Sequence, residues 1–241
     1  MDFHLERRQS IGAIYFATAL TLCFPIISAA DKEPTLAEAR AQYKAADAEL
    51  NKAYAAAIAE LHQTKAAALR EDERNWIQYR DEMVEHDEYV ARSFGHTNLS
   101  DEKDPDYWTS LAAYEEDRTQ YLHGYSGKHV PPGIPGEYDD SYGGTAEVRQ
   151  TKSGIEFSLE AVRHAGHDQG EISGVLKFKG DTAYFRQNEK NVQSGDPPCE
   201  LVFTIVDGHV LRIEEKVRDS NAGINVHYDG DYYKIGKVRG D

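Results

Sequence analysis

The spacing of hydrophobic residues changes once along this chain, and this change limits what the chain can fold into. From Thr35 to Phe94 the sequence has no proline or glycine and is rich in alanine, leucine and glutamate, which favours helix. Residues 124–136 are rich in proline and glycine and have the composition of a linker. Beyond them, apolar and polar residues alternate with the period of two that a half-buried strand requires. The sequence therefore predicts an α+β protein, with helices first and strands second.

Two helices folded back on each other are expected in the first segment, because a single helix across it would be unusually long. Thr64 can cap a second helix, so we place the turn between His62 and Lys65 and predict an antiparallel hairpin. A third, shorter helix should begin near Asp106. The apolar stripes are Leu36, Tyr43, Leu50, Tyr54, Ile58 and Leu61 in the first helix, Leu69, Trp76, Tyr79, Met83 and Val90 in the second, and Trp108, Leu111, Tyr114 and Leu122 in the third.

Seven or eight short strands are expected after the linker, which indicates an antiparallel meander curled into a small β-barrel. The similar tripeptides Gly136-Glu137-Tyr138 and Gly230-Asp231-Tyr232 would suit first and last strands that pair to close it. The candidate strands are 147–151, 155–161, 171–179, 182–187, 199–206, 209–217 and 224–233.

The N-terminus has the pattern of an export signal. Arg7-Arg8 precede an apolar run from Ile11 to Ile27, and Ser28-Ala29-Ala30 supplies the small residues of a cleavage site before Asp31. The run is too short for a stable membrane span. Lipid anchoring at Cys23 is disfavoured, because the bulky Leu22 precedes it. We therefore expect a periplasmic or extracellular protein, divided into a signal peptide (1–30), a helical domain (31–123), a linker (124–135) and a β-barrel domain (136–237).

The charge of the chain restricts its partners. The formal net charge is −15, which argues against nucleic acid and anionic lipid and favours a cationic protein. Acidic residues are concentrated between Asp81 and Asp117. This stretch contains twelve of them and two basic residues, Arg92 and Lys103. A solvated helix face that keeps the protein soluble would show the same pattern.

The sequence contains no motif for catalysis, a cofactor or a metal, and we predict none of these. His164, His167 and Asp168 form an incomplete ligand set in an expected loop. A glycan-acting carboxylate pair stays an alternative, but 42 acidic residues single out no pair. Cys199 is the one cysteine left after cleavage, which excludes an intramolecular disulfide. Its strand-like surroundings indicate a buried, unreactive thiol.

The helical segment also carries a recognisable residue pattern. Leu50-Asn51-Lys52-Ala53-Tyr54 is followed by Leu69 and then by Arg74-Asn75-Trp76-Ile77-Gln78-Tyr79-Arg80-Asp81. With these residues, the chain resembles the LprI-type lysozyme-inhibitor family over roughly residues 36–125. Members of that family usually carry cysteines that staple the helices, and Met83-Val84 stands where one of them would be.

The resemblance implies an exported, non-catalytic protein that inhibits a lysozyme-type cell-wall hydrolase. Such hydrolases are commonly basic, which fits the acidic stretch. The alternatives are an envelope interaction or immunity module against another partner, and a glycan-acting enzyme. The predicted partner-binding residues are Asp81, Glu82, Glu85, Asp87 and Glu88.

Residues of the family pattern are expected to be mainly architectural. Trp76 and Arg80 are four residues apart, so the guanidinium can stack on the indole ring. Arg80 could also pair with a carboxylate on a neighbouring helix. The residues given this structural role are Leu50, Asn51, Tyr54, Leu69, Trp76, Tyr79, Arg80 and Asp81.

Overall fold

The computed structural model describes residues 33–93, 102–127, 130–163, 168–192 and 195–238, with all side chains except those of residues 86–93. The expected signal peptide with Cys23, and the histidines 164 and 167, lie outside these residues. From Pro34 onward the chain forms one compact unit. This unit contains three helices followed by a nine-stranded antiparallel sheet that curls into a nearly closed barrel, so the predicted α+β architecture is confirmed.

The helices are α1 (Leu36–Glu60), α2 (Gln63–Ser93) and α3 (Pro105–Tyr125). Thr35 and Glu38 form a capping box at the start of α1. Asp104 caps α3, because its side chain accepts a hydrogen bond from the Asp106 amide. The cap predicted at Thr64 is wrong: α2 begins at Gln63, and the carbonyl of His62 already accepts a hydrogen bond from the amide of Ala66.

Side-chain size determines how the helices pack. The buried residues of α1 are Ala39, Ala46, Leu50, Ala53 and Ala57. Because alanines let two backbones come close, α1 lies much nearer to α3 than to α2. The α2 helix reaches the same core through larger buried side chains, Leu69 and Trp76.

The strands are β1 (Gly136–Asp139), β2 (Gly144–Gln150), β3 (Ile155–Arg163), β4 (Asp168–Leu176), β5 (Phe178–Lys179), β6 (Thr182–Arg186), β7 (Glu200–Val206), β8 (Val210–Val217) and β9 (Gly230–Gly236). Their order in the sheet is β4-β3-β2-β1-β9-β8-β7-β6-β5. The predicted pairing of first and last strands is confirmed, since β1 pairs with β9. That pair lies in the middle of the sheet, however. The edge strands are β4 and β5, which are consecutive in the chain, and β4 contacts β6 across the opening.

The strand predicted over 224–233 begins only at Gly230. Residues Val226 and Tyr228 lie outside any strand and bury their side chains in the barrel core. The Tyr228 hydroxyl donates a hydrogen bond to the buried carboxylate of Asp219. Gly170 of β4 leaves room for this hydroxyl, since a Cβ at position 170 would lie 2.7 Å from the Tyr228 hydroxyl oxygen. The segment before β9 therefore fills the barrel instead of extending the sheet.

The helices pack directly against the barrel. Tyr233 of β9 contacts the rings of Tyr121 and Tyr125 of α3, with centroids 5.2 Å and 4.7 Å apart. A Cβ on Gly124 would lie 2.6 Å from the carbonyl oxygen of Lys234, so only glycine allows this approach. The predicted linker (124–135) therefore starts inside α3 and contributes a helix–strand contact.

Candidate functional site

A cleft of about 450 Å³ opens between the three helices. Its volume lies within the roughly 300–1,000 Å³ typical of ligand sites. Asp81 and Glu85 line it from α2, one helical turn apart, so the structure brings two of the predicted partner-binding residues to the same cleft. The complete lining is Tyr43, Arg80, Asp81, Val84, Glu85, Tyr107, Trp108 and Leu111.

Aromatic rings form one wall of the cleft. The Trp108 ring lies 5.2 Å from the ring of Tyr43 on α1 and 5.2 Å from the ring of Tyr107. Its indole N–H donates to the carbonyl of Glu102 at 2.8 Å. Arg40 donates to the same carbonyl at 2.7 Å and places its guanidinium 5.1 Å from the Trp108 ring centre. These contacts hold the indole in a fixed orientation.

Arg80 lines the cleft and pairs with the buried Glu115 of α3. Arg80 Nη1 is 2.5 Å from Glu115 Oε1, and Arg80 Nη2 is 2.7 Å from Asp81 Oδ1. The Glu115 side chain is fully buried, and its second oxygen has no hydrogen-bond partner among the described residues. Burial raises the pKa of Glu115, and Arg80 opposes that rise. The charge of Arg80 is therefore already shared between two carboxylates.

The cleft has a negative electrostatic environment. The pKa of Tyr43 is raised, first by burial and then by the carboxylate of Glu115. The pKa of Tyr107 is raised by burial and then by Glu102 and Asp81. Carboxylates from three parts of the chain therefore act on the aromatic wall, while Arg80 acts on both tyrosines in the opposite direction. The acids outnumber this cation, which favours a cationic ligand over an anionic one.

A second polar network lies beneath Trp76. The fully buried Arg118 pairs with Asp72 Oδ2 at 2.5 Å and with Glu73 Oε2 at 2.9 Å. The guanidinium groups of Arg118 and Arg80 lie 5.2 Å and 5.6 Å from the Trp76 ring centre. The expected stacking of Arg80 on Trp76 is thus present, and its interhelical partner is on α3. Trp76 and its two arginines connect the cleft to the helical core.

The remaining predicted site residues are distributed as follows. Glu82 is exposed on α2 and does not line the cleft, and the side chains of Asp87 and Glu88 lie outside the described residues. Of the family-pattern residues, Leu50, Leu69 and Trp76 are buried, Tyr54 and Tyr79 pack against the same core, and Asn51 is exposed.

Sequence reasoning missed the aromatic wall. Trp108 was predicted only as part of the apolar stripe of the third helix, and Tyr107 was not singled out. Both lie in the first turn of that helix, where they reach the cleft. An adjacent Tyr-Trp pair directly after the acidic Asp104-Pro105-Asp106 start was the available signal.

One group of described residues could hold a metal ion. Ligand atoms of Glu215, His227 and Asp229 lie within 4.8 Å of one another. The three residues already interact with one another. His227 Nδ1 is 3.0 Å from Glu215 Oε2, and the Asp229 carboxylate accepts a hydrogen bond from the Glu215 backbone amide. Internal hydrogen bonding accounts for the arrangement. Asp168, from the weak ligand set considered above, accepts a hydrogen bond from Asn225.

Cys199 is fully buried in the barrel core. Burial raises the pKa of its thiol to about 12, so the thiolate needed for nucleophilic attack is scarce at neutral pH. This agrees with the predicted buried thiol.

Comparison with known proteins gives one match. The sequence model of the family described as "Lysozyme inhibitor LprI" matches residues 28–122. No curated protein and no solved structure matched the chain. Among the described residues, no helix is both long and apolar enough to cross a membrane. The three helices, with the cleft between them, thus fall almost entirely in a segment that matches the LprI lysozyme-inhibitor family, as the resemblance predicted.

Proposed function

We propose that this protein is an exported, non-catalytic inhibitor of a cationic lysozyme-type cell-wall hydrolase. The observation that carries the proposal is the coincidence of the family match over residues 28–122 with an acidic, aromatic-walled cleft inside the same segment. Lysozyme inhibition is what the family description names. The cleft offers the surface chemistry that a basic enzyme requires.

The charge of the protein supports rapid encounter with such an enzyme. A net charge of −15 attracts a basic partner over several ångströms. Asp81 and Glu85 are exposed at the cleft, so they can contact the partner directly. Because exposed charges are screened by salt, binding through this face should weaken as ionic strength rises.

The test is an inhibition assay with the processed chain. A basic lysozyme is mixed with increasing amounts of the protein, and lysis of cell-wall material is followed at several salt concentrations. We expect stoichiometric inhibition that weakens with salt. Lysis that continues unchanged at a molar excess of the protein in dilute buffer would refute the proposal. Release of glycan fragments by the protein alone would instead indicate an enzyme.

A pair of matched variants tests whether the cleft is the contact surface. Asp81→Asn with Glu85→Gln removes two negative charges at the cleft and keeps the acceptor oxygen that Arg80 uses. Glu160→Gln with Glu171→Gln removes two charges on the barrel, where the two exposed residues lie opposite each other on β3 and β4. We expect at least a tenfold loss of inhibition for the cleft variant and little change for the barrel variant.

A further inference from the structure

The cleft has features that a general acidic surface lacks. Three aromatic rings line it, and hydrogen bonds and ring contacts hold them in place. Aromatic faces attract cations, and a guanidinium also stacks on them through its flat shape. One guanidinium, that of Arg40, already lies over the Trp108 ring at 5.1 Å, which shows that this ring accepts such a contact.

The charges around the cleft are not balanced internally. Asp81 and Glu85 are the acids of the lining, and the buried Glu115 pairs with Arg80 behind it. The nearby cations are Arg80, which lines the cleft, and Arg40, whose guanidinium lies over the Trp108 ring. Arg80 is engaged by both Asp81 and Glu115, so its charge is compensated before any ligand arrives. Glu85 has no ion pair with another described residue and is exposed at the edge of the cleft.

Buried apolar residues in the cleft lining also favour a protruding side chain over a flat surface. Leu111 and Val84 are buried and give its inner part an apolar lining. The aliphatic stem of an arginine can pack on such residues while its charged end reaches a carboxylate. A lysine ammonium is more strongly hydrated and cannot stack.

We propose that the cleft binds the side chain of one arginine presented by the partner, with the guanidinium against the ring of Trp108 or Tyr107 and hydrogen-bonded to Glu85. The identity of the partner rests on the proposed function, whereas the chemistry of the cleft does not.

The cleft is tested in the full processed chain with N-acetyl-L-arginine amide as the probe. The chain has two tryptophans, Trp76 and Trp108. Trp76 is buried away from solvent, whereas Trp108 lines the cleft, so a fluorescence change reports mainly on the cleft. We expect saturable binding with a dissociation constant of roughly 1–10 mM, the strength of one good side-chain contact. The citrulline analogue has the same shape without the charge and should bind at least tenfold more weakly.

Variants assign the signal and the charge contact to the cleft. Glu85→Gln should weaken arginine binding at least fivefold, and loss of the fluorescence change in Trp108→Phe should identify Trp108 as the source of the signal. Glu171→Gln, which removes an exposed charge from the barrel, should leave binding unchanged. Equal binding of arginine and citrulline probes, or no saturable change with the arginine probe, would overturn the inference.

The two proposals fail in different ways. If the arginine probe binds but the hydrolase is not inhibited, the cleft assignment stands and the proposed function is wrong. If the hydrolase is inhibited equally by the wild-type protein and by Glu85→Gln, and the probe does not bind, the function stands and the cleft assignment is wrong.

Discussion

The phenolic hydroxyl of Tyr142 donates a hydrogen bond of 2.8 Å to Oδ1 of Asp72. Tyr142 lies in the loop between β1 and β2, and Asp72 lies on α2. The other oxygen of the same carboxylate pairs with Arg118 of α3 at 2.5 Å. A single carboxylate therefore connects the barrel to two helices, and it does so two turns of helix away from the cleft residue Arg80.

Tyr142→Phe removes this hydroxyl and keeps the ring, which contacts Tyr79 at 5.3 Å. A half-buried hydrogen bond to a charged group contributes about 1–3 kcal/mol, so the free energy of unfolding should fall by that amount. Urea denaturation followed by circular dichroism measures the change. Tyr184→Phe, at a position 73% exposed, is the matched control and should have no effect. An unchanged midpoint for Tyr142→Phe would show that the contact does not stabilise the fold.

Arg118→Met removes the guanidinium that pairs with both Asp72 and Glu73. The two carboxylates would be left facing each other beneath Trp76, and breaking a buried pair costs about 3–5 kcal/mol. Arg212→Met removes an equal charge from an exposed pair with Asp231, for which about 0–1 kcal/mol is expected. Chemical denaturation of both variants gives the comparison. Equal losses of stability would contradict the assigned role of Arg118.

Sequence periodicity predicted the three helices and most of the strands because those elements are specified by neighbouring residues. It predicted the apolar stripe of α1 but not which residues are most deeply buried. Leu50 is buried, and Tyr54, Ile58 and Leu61 pack against the same core as expected, whereas the other buried positions beside them are alanines: Ala39, Ala46, Ala53 and Ala57. Alanine gives little hydrophobic signal, and its burial follows from the close approach of α3, which local sequence does not specify.

The cleft was predictable only in part for the same reason. Asp81 and Glu85 were identified from local charge, since both belong to one acidic run of α2. Tyr43, Tyr107 and Trp108 come from α1 and α3, and they meet those acids only when the helices pack. The strand pairing shows the same limit: matching end tripeptides indicated the β1–β9 pair, whereas the contact between β4 and β6 depends on how the whole sheet curls.

Gly124→Ala tests the contact between α3 and the barrel. Alanine favours helix over glycine by about 1 kcal/mol at an open position. Here its Cβ would lie 2.6 Å from the Lys234 carbonyl oxygen, so we expect lower stability instead. His123→Ala changes an exposed neighbour in the same turn and should be neutral. The melting temperatures of both variants measure the effect. A higher melting temperature for Gly124→Ala would contradict the prediction and would mean that α3 and β9 separate easily.

Asp139 predicts an unusual dependence of stability on pH. Burial raises the pKa of this carboxyl to about 7 from an ordinary value of 3.8, and the neighbouring Asp140 adds to the rise. Between these two values the folded protein holds more protons than the unfolded chain, so stability contributed by this group falls as pH increases. This loss of stability is absent below the ordinary pKa of 3.8 and complete above about pH 7.

Asp139→Asn cannot ionise and keeps the oxygen that accepts a hydrogen bond from the Ser141 amide at 2.5 Å. It should match the wild-type protein near pH 4 and be more stable at pH 8. Each unit of pKa difference corresponds to about 1.4 kcal/mol, and about 1 kcal/mol shifts the melting temperature by roughly 2–4 °C in a chain of this size. We therefore expect an advantage of several degrees at pH 8 in thermal melts. Asp181→Asn, in an exposed turn, should show no such pH-dependent difference. A melting temperature for Asp139→Asn that follows the wild-type value at every pH would show that Asp139 ionises normally in the folded protein.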